Sequence, residues 1–170
     1  LDTEKLVQGI EKLENGNGVG KESPEHSSTN GSKERKQEEN YSIETKDGVT
    51  ICTPPDTGIL TTYVLLEQEE WFEPELDFVR QFLQPGMTVI DAGAGFGAYS
   101  LPMAKQVGAE GAVYAFEPGT LAKKHLEMSK MENNFNHLEV VGRGLGEKAG
   151  EASFETAQTH ELNRITEQGE

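Results

Sequence analysis

The ten residues 88–97, TVIDAGAGFG, constrain the fold of this chain more than any other stretch. An apolar run at 87–90 leads into Asp91 and then into three glycines at alternate positions, Gly93, Gly95 and Gly97. A short apolar run of this kind is typical of a strand buried in a parallel sheet. The glycines allow a sharp turn from strand to helix, and they let a ligand approach backbone that carries no Cβ. The stretch therefore predicts a strand–turn–helix unit with a ligand-binding turn.

Two classes of ligand use such a turn, and the spacing and charge distinguish them. Dinucleotide-binding turns follow the pattern G-x-G-x-x-G, whereas this chain has G-x-G-x-G with Asp91 at the strand end. A carboxylate there would repel a pyrophosphate. It would favour a ligand with a positive charge and amine donors, such as the methionine part of S-adenosylmethionine. A tight turn that binds no ligand is the alternative that remains open at this point.

A second acid follows at the end of the next predicted strand. Residues 112–116 form a short apolar run, then come Glu117 and Pro118, which ends the strand. Glu117 follows the glycine turn by a little over the roughly 20 residues at which an acid binds ribose hydroxyls in nucleotide-binding folds. The two oxygens of a carboxylate can accept from two neighbouring hydroxyls. The alternative is a solvated charge at a strand end.

These motifs resemble the FkbM-type family of S-adenosylmethionine-dependent methyltransferases, over residues 61–165. The resemblance depends on four segments: YVLLEQ at 63–68, WFEPEL at 71–76, DAGAGFG at 91–97 and YAFEP at 114–118. Residues 133–134 and 144–150 give weaker support. It implies that Asp91, Gly93 and Gly95 line the methionine side of the cofactor and that Glu117 holds the ribose. The full cofactor-binding set that it implies is Asp91, Gly93, Ala94, Gly95, Phe96, Gly97 and Glu117. Ala94 and Phe96 depart from the family turn, which often has Asn and a small or aliphatic residue there.

The resemblance also implies a function. Family members mostly methylate oxygen on small molecules or sugars, so a small-molecule or carbohydrate acceptor is expected. The family's second half supplies the acceptor pocket and the last strands of the sheet, and this chain ends at Glu170 before them. We therefore expect a fragment that holds most of the cofactor site. The resemblance assigns no catalytic base to this chain.

Charge and cysteine content restrict the classes of partner. The formal net charge of −15 disfavours nucleic acid and anionic membrane surfaces, whose phosphates would repel the chain. The single cysteine, Cys52, permits no intrachain disulfide, and this favours a reducing, cytoplasmic compartment. No run of about 18 apolar residues is present to cross a bilayer. The four histidines show no metal-ligand spacing, so no metal site is predicted.

Composition divides the chain into two parts. Residues 1–40 predict a short helix followed by a disordered polar linker, because they contain too few apolar residues to offset the entropy of ordering. Residues 41–170 predict a partial Rossmann-like methyltransferase domain. Its first elements are a β-hairpin, 42–45 with 49–52 around Asp47 and Gly48, and a β-type run at 61–66. An entry helix then opens at Glu73-Pro74, with an inner face of Leu76, Val79, Phe82 and Leu83, and we expect Trp71 and Phe72 to pack it against the sheet.

The remaining pattern predicts the fold class. Helices are predicted from Gly97 to Val107, with Pro102 disturbing the first turns, and from Thr120 to Met131. A third strand is expected at 138–141, and a hairpin or edge strand at 152–156. The predicted class is α/β, the first β-α-β-α-β half of a Rossmann-like class I methyltransferase fold. Two other readings remain: a non-catalytic interaction module, and a nicotinamide-binding dehydrogenase, which the position of Asp91 disfavours.

Overall fold

The computed structural model describes residues 40–148, residue 150, and two short strands at 153–155 and 164–166. The short helix and linker predicted within residues 1–39 lie outside the described residues. The prediction of two parts to the chain therefore stays a prediction. No helix in the described part of the chain combines the length and the hydropathy needed to cross a membrane.

The described chain begins with the predicted β-hairpin. Strand β1 (Tyr41–Glu44) pairs antiparallel with strand β2 (Thr50–Thr53), and Ser42 lies opposite Cys52 in the register. The side chain of Cys52 is buried, as expected for a cysteine that acts as a small apolar residue. The hairpin prediction is confirmed.

The β-type run at 61–66 is helical instead. Helix α1 (Leu60–Gln68) buries Thr61, Val64 and Leu65, which are spaced as one face of a helix, together with Thr62. The sequence prediction of β structure was wrong because the β-branched residues in this run lower helix propensity by only a fraction of a kcal/mol each. Burial of Val64 and Leu65 in the core outweighs that preference.

The entry helix is present, but its aromatic residues face outward. Helix α2 (Glu75–Phe82) starts after Pro74 and buries Leu76, with Leu83 buried directly after it. Phe82 is 60% exposed and stacks on Phe78 with ring centroids 5.5 Å apart, so its assignment to the inner face was wrong. Phe72 is 53% exposed and contacts Trp71 rather than anchoring the helix to the sheet.

The central element is a three-stranded parallel sheet with the order β3-β4-β5. Strands β3 (Thr88–Ala92), β4 (Ala112–Phe116) and β5 (Leu138–Val141) alternate with helices α3 (Ser100–Val107) and α4 (Thr120–Glu132). This is the predicted β-α-β-α-β arrangement of a Rossmann-like half-sheet, and the α/β fold class is confirmed. Helix α3 starts at Ser100 rather than near Gly97. Pro102 therefore lies in its first turn, where a proline ring is tolerated.

One core holds the sheet, the helices and the hairpin together. Its fully buried side chains include Leu65 of α1, Leu101 of α3, Val113 of β4, Leu126 of α4 and Leu138 of β5. Side-chain hydrogen bonds fix the hairpin to α4: the Cys52 N–H donates to Ser129 Oγ, and the Thr50 N–H donates to Asn133 Oδ1, both at 2.8 Å. Strands β6 (Ser153–Glu155) and β7 (Arg164–Thr166) pair antiparallel. Strand β6 lies where a hairpin or edge strand was expected, at 152–156, whereas its partner β7 was not predicted. The packing of this core thus fixes the positions of the carboxyl ends of β3 and β4.

Candidate functional site

The parallel register brings the ends of β3 and β4 level with each other. Asp91 lies opposite Ala115, and Ala92 lies opposite Phe116. The N–H groups of Gly93 and Ala94 both donate to the carbonyl oxygen of Phe116, at 2.9 and 3.0 Å. The glycine turn therefore lies against the end of β4, which is the edge where ligands bind in open parallel sheets.

Glu117 joins this turn from the neighbouring strand. Its Oε2 accepts from the Gly95 N–H at 2.8 Å, and its Oε1 accepts from the Gly119 N–H at 2.6 Å. The residue is only 7% exposed. Each carboxylate oxygen has two acceptor positions, so both oxygens keep one for a further donor after these backbone contacts. Glu117 and the glycine turn thus form one unit, although 22 residues separate Gly95 from Glu117.

Two of the glycines face open space and one faces the core. A Cβ built on Gly93 or Gly95 would meet nothing within 4 Å, and Gly93 has a φ of +84°. A Cβ on Gly97 (φ +93°) would come within 2.6 Å of Leu126 Cδ1 and 3.1 Å of Leu101 Cδ1. Gly97 is therefore needed for packing, whereas Gly93 and Gly95 offer bare backbone to a ligand.

The other two residues of the predicted turn point their side chains into the protein. Ala94 is buried in the main core. Phe96 is 3% exposed and packs with Ile59 and Ala122, and its ring meets His125 edge-on at 5.8 Å. These residues anchor the turn, and only their backbone belongs to its exposed surface.

Asp91 lies half-buried at the end of β3 and is held by the first residue of α3. Its Oδ2 accepts from the Ser100 hydroxyl at 2.5 Å. Burial raises the pKa of the Asp91 carboxyl; the Ser100 hydrogen bond opposes this shift and the negative charge of Glu117 adds to it. An ionised Asp91 is therefore held at an energetic cost, which a cation beside it would reduce.

Sequence reasoning missed a third acid beside this turn. The Tyr99 hydroxyl donates to Glu73 Oε2 at 2.7 Å, and Glu73 lies in the connection between α1 and α2. Burial, the hydrogen bond to Glu73 and the charges of neighbouring acids that include Asp91 raise the pKa of Tyr99 well above its usual range. The hydroxyl therefore stays protonated and donates. The WFEPE segment of 71–75 was the one signal for this contact, but nothing in it indicates Tyr99 as the partner.

The acids of the site have no basic partner among the described residues. Asp91, Glu117 and Glu73 form no ion pair there, and Asp91 and Glu117 are close enough for their charges to interact. The ion pairs seen between residues of 40–148 use acids outside the turn: Lys46 pairs with Glu70, and Arg80 pairs with Asp47, Glu70 and Asp77. The site therefore has negative potential and suits a ligand that carries positive charge.

Comparison with known proteins gives a partial likeness only. No protein-family model matches the chain, and no curated protein matches it. Among solved structures, it is similar to a SAM-dependent methyltransferase from Aquifex aeolicus, with 29% identity and a TM-score of 0.41, over 51% of this chain and 44% of that one. It is also similar to P. horikoshii TYW2 in complex with MeSAdo, with 20% identity and a TM-score of 0.45, over 63% and 37%.

A SAM-dependent O-methyltransferase from Thermotoga maritima is a further similar structure, with 21% identity and a TM-score of 0.43, over 61% of this chain and 40% of that one. The matched part covers less than half of each of these three solved chains. At such TM-scores the likeness is loose, and the function proposed below therefore rests on the site itself.

Proposed function

We propose that the chain binds S-adenosylmethionine at the glycine turn and forms the cofactor part of a methyltransferase of the FkbM type. The observation that carries this proposal is the bare backbone of Gly93 and Gly95, which lies between Asp91 and Glu117, two carboxylates that have no basic partner in the described part of the chain. S-adenosylmethionine carries positive charge on its sulfonium and ammonium groups and can therefore act as the positively charged partner of these carboxylates. Its ribose brings the two hydroxyls that suit a strand-end carboxylate.

Each predicted residue then has a defined part. Asp91 contributes the charge that attracts the methionine moiety, and Ser100 fixes its orientation. Glu117 accepts from the ribose hydroxyls through its remaining acceptor positions, while its backbone contacts hold the carboxylate in place. Gly93 and Gly95 allow the cofactor to lie directly on the main chain. Ala94, Phe96 and Gly97 pack the turn against the core.

S-adenosylmethionine supplies a methyl group that is already activated on sulfur. The protein therefore contributes mainly by aligning donor and acceptor, and alignment can supply a large part of a rate enhancement. We propose the hydroxyl of a small molecule or sugar as the acceptor. The net charge of −15 supports this choice over nucleic acid.

The competing enzyme class is a nicotinamide-dependent dehydrogenase. It would need to place a pyrophosphate on the same turn, where Asp91 stands one residue before the strand end. Repulsion between that carboxylate and the phosphates argues against it. A non-catalytic binding module differs from both classes in turnover: it would bind the cofactor and transfer no methyl group.

Calorimetric titration of the chain with S-adenosylhomocysteine and with NAD tests the proposal. We expect S-adenosylhomocysteine to bind and NAD not to bind, and we expect Asp91→Asn and Glu117→Gln each to weaken the binding about tenfold or more. Asp77→Asn, which removes an acid from the outer face of α2, is the matched control and should leave the affinity unchanged. A preference of the wild-type chain for NAD would overturn the proposed cofactor site. So would Asp91→Asn and Glu117→Gln variants that bind S-adenosylhomocysteine as tightly as the Asp77→Asn control.

A further inference from the structure

Two neighbouring residues at the start of α3 each hold a carboxylate that comes from a different element. Tyr99 donates its hydroxyl to Glu73, from the α1–α2 connection, and Ser100 donates its hydroxyl to Asp91, from β3. The chain thus gathers two acids at the amino end of a helix, where the helix dipole favours negative charge. Besides burial, the negative charges of Glu73 and Asp91 both help to raise the pKa of Tyr99, so both carboxylates lie near the same hydroxyl.

We propose that Glu73, positioned by Tyr99, binds the α-ammonium group of the cofactor's methionine moiety together with Asp91. This inference rests on the proposed function and extends it to a residue outside the glycine turn. An ammonium group has three N–H donors that point in different directions, so it can bind two carboxylates at once. A sulfonium group has no N–H donor and needs only nearby negative charge.

The contacts of Glu73 leave it able to take this part. One oxygen, Oε2, accepts from Tyr99, and no lysine, arginine or histidine of the described residues pairs with the carboxylate. Tyr99 donates its hydroxyl to Glu73 and is itself uncharged, so it orients the carboxylate that supplies the negative charge for an ammonium group. Glu73 is therefore the group that contacts the ligand, and Tyr99 is a positioning residue.

Two ligands that differ only in the amino-acid part test the proposal. S-adenosylhomocysteine carries the ammonium group, whereas 5′-methylthioadenosine has the same nucleoside and thioether without it. For Glu73→Gln we expect binding of S-adenosylhomocysteine to weaken about tenfold to a hundredfold, since a charge-assisted hydrogen bond is lost. Binding of 5′-methylthioadenosine should remain within about twofold of wild type, because it never used that bond.

Glu67→Gln is the matched control. It makes the same chemical change at an exposed position of α1, and it should alter neither affinity. Tyr99→Phe removes the positioning hydroxyl and keeps the ring, and we expect it to shift the ratio of the two affinities in the same direction as Glu73→Gln, by a smaller factor. The ratio does not depend on the folded fraction, so a variant that is merely less stable does not imitate the effect.

The outcomes separate this inference from the proposed function. If wild type binds S-adenosylhomocysteine and Glu73→Gln binds it equally well, the role of Glu73 is overturned and the cofactor site stands. If Glu73→Gln weakens both ligands by the same factor, the residue acts on the shape of the site and the role is again overturned. If wild type binds neither ligand, the proposed function itself fails.

Discussion

Gly97 and Gly93 belong to the same turn and have similar backbone angles, so substituting each by alanine separates packing from binding. Both variants place a Cβ on a residue with positive φ, which costs about 1–2 kcal/mol of unfolding free energy. At Gly97 the new Cβ would also lie 2.6 Å from Leu126 Cδ1. Leu126 and Leu101 are fully buried and cannot move aside freely, so overpacking adds about 1–3 kcal/mol.

We therefore expect Gly97→Ala to lose about 2–5 kcal/mol and Gly93→Ala about 1–2 kcal/mol in urea unfolding followed by circular dichroism. Binding should follow the opposite order among folded molecules. Gly93→Ala should weaken S-adenosylhomocysteine about tenfold or more, because its Cβ would stand in the space that the ligand needs. Equal losses of stability in the two variants would refute the packing argument. Wild-type affinity in Gly93→Ala would refute the use of the open backbone.

Three further predictions concern the groups around the site and its scaffold. Since folding raises the pKa of Asp91, the stabilising contribution of its carboxyl is present below the unfolded-state pKa and is lost as the pH rises through the folded-state pKa. Asp91→Asn should therefore melt at the same or a higher temperature than wild type at pH 7, and this gain should shrink on acidification. A lower melting temperature of the variant at pH 7 would contradict the pKa shift. Ser129→Ala leaves the buried Cys52 N–H without its acceptor and should cost about 1–3 kcal/mol in urea unfolding, whereas an unchanged midpoint would show that this bond does not hold the hairpin. Arg80→Met removes the ion pairs with Asp47, Glu70 and Asp77 and should cost about 1 kcal/mol at low salt and less in 1 M NaCl. A loss that salt does not reduce would point to packing instead.

The β-α-β-α-β order could be predicted from the sequence because local patterns determine it. Each strand is a short apolar run, and a glycine or proline marks the end of β3 and β4. The position of Glu117 beside the turn also followed, since parallel strands end at the same edge of the sheet. Helix α1 could not be predicted, because its β-branched residues are helical only through burial of Val64 and Leu65.

The remaining parts of the site depend on long-range contacts. The bond from Tyr99 to Glu73 spans 26 residues, and no periodicity or motif indicates which hydroxyl meets which acid. The same holds for Phe82, whose spacing suited the inner face of α2 while its ring stacks on Phe78 outside. Sequence reasoning also treated the three glycines alike. Only the packing of Leu126 separates Gly97, which the core requires, from the two glycines that face open space.

The central claim is that a cofactor lies on the backbone of Gly93 and Gly95, and amide NMR tests it most directly. Titration of isotope-labelled chain with S-adenosylhomocysteine should shift the amide signals of these two glycines in a saturable way. Gly86 and Gly108 are internal references: they lie before β3 and β4, at the amino ends of the strands, and their signals should not move. The predicted result is saturable shifts at Gly93 and Gly95 with no shift at Gly86 or Gly108. Unmoved signals at both glycines, or equal shifts at Gly86 and Gly108, would contradict a cofactor site at this turn.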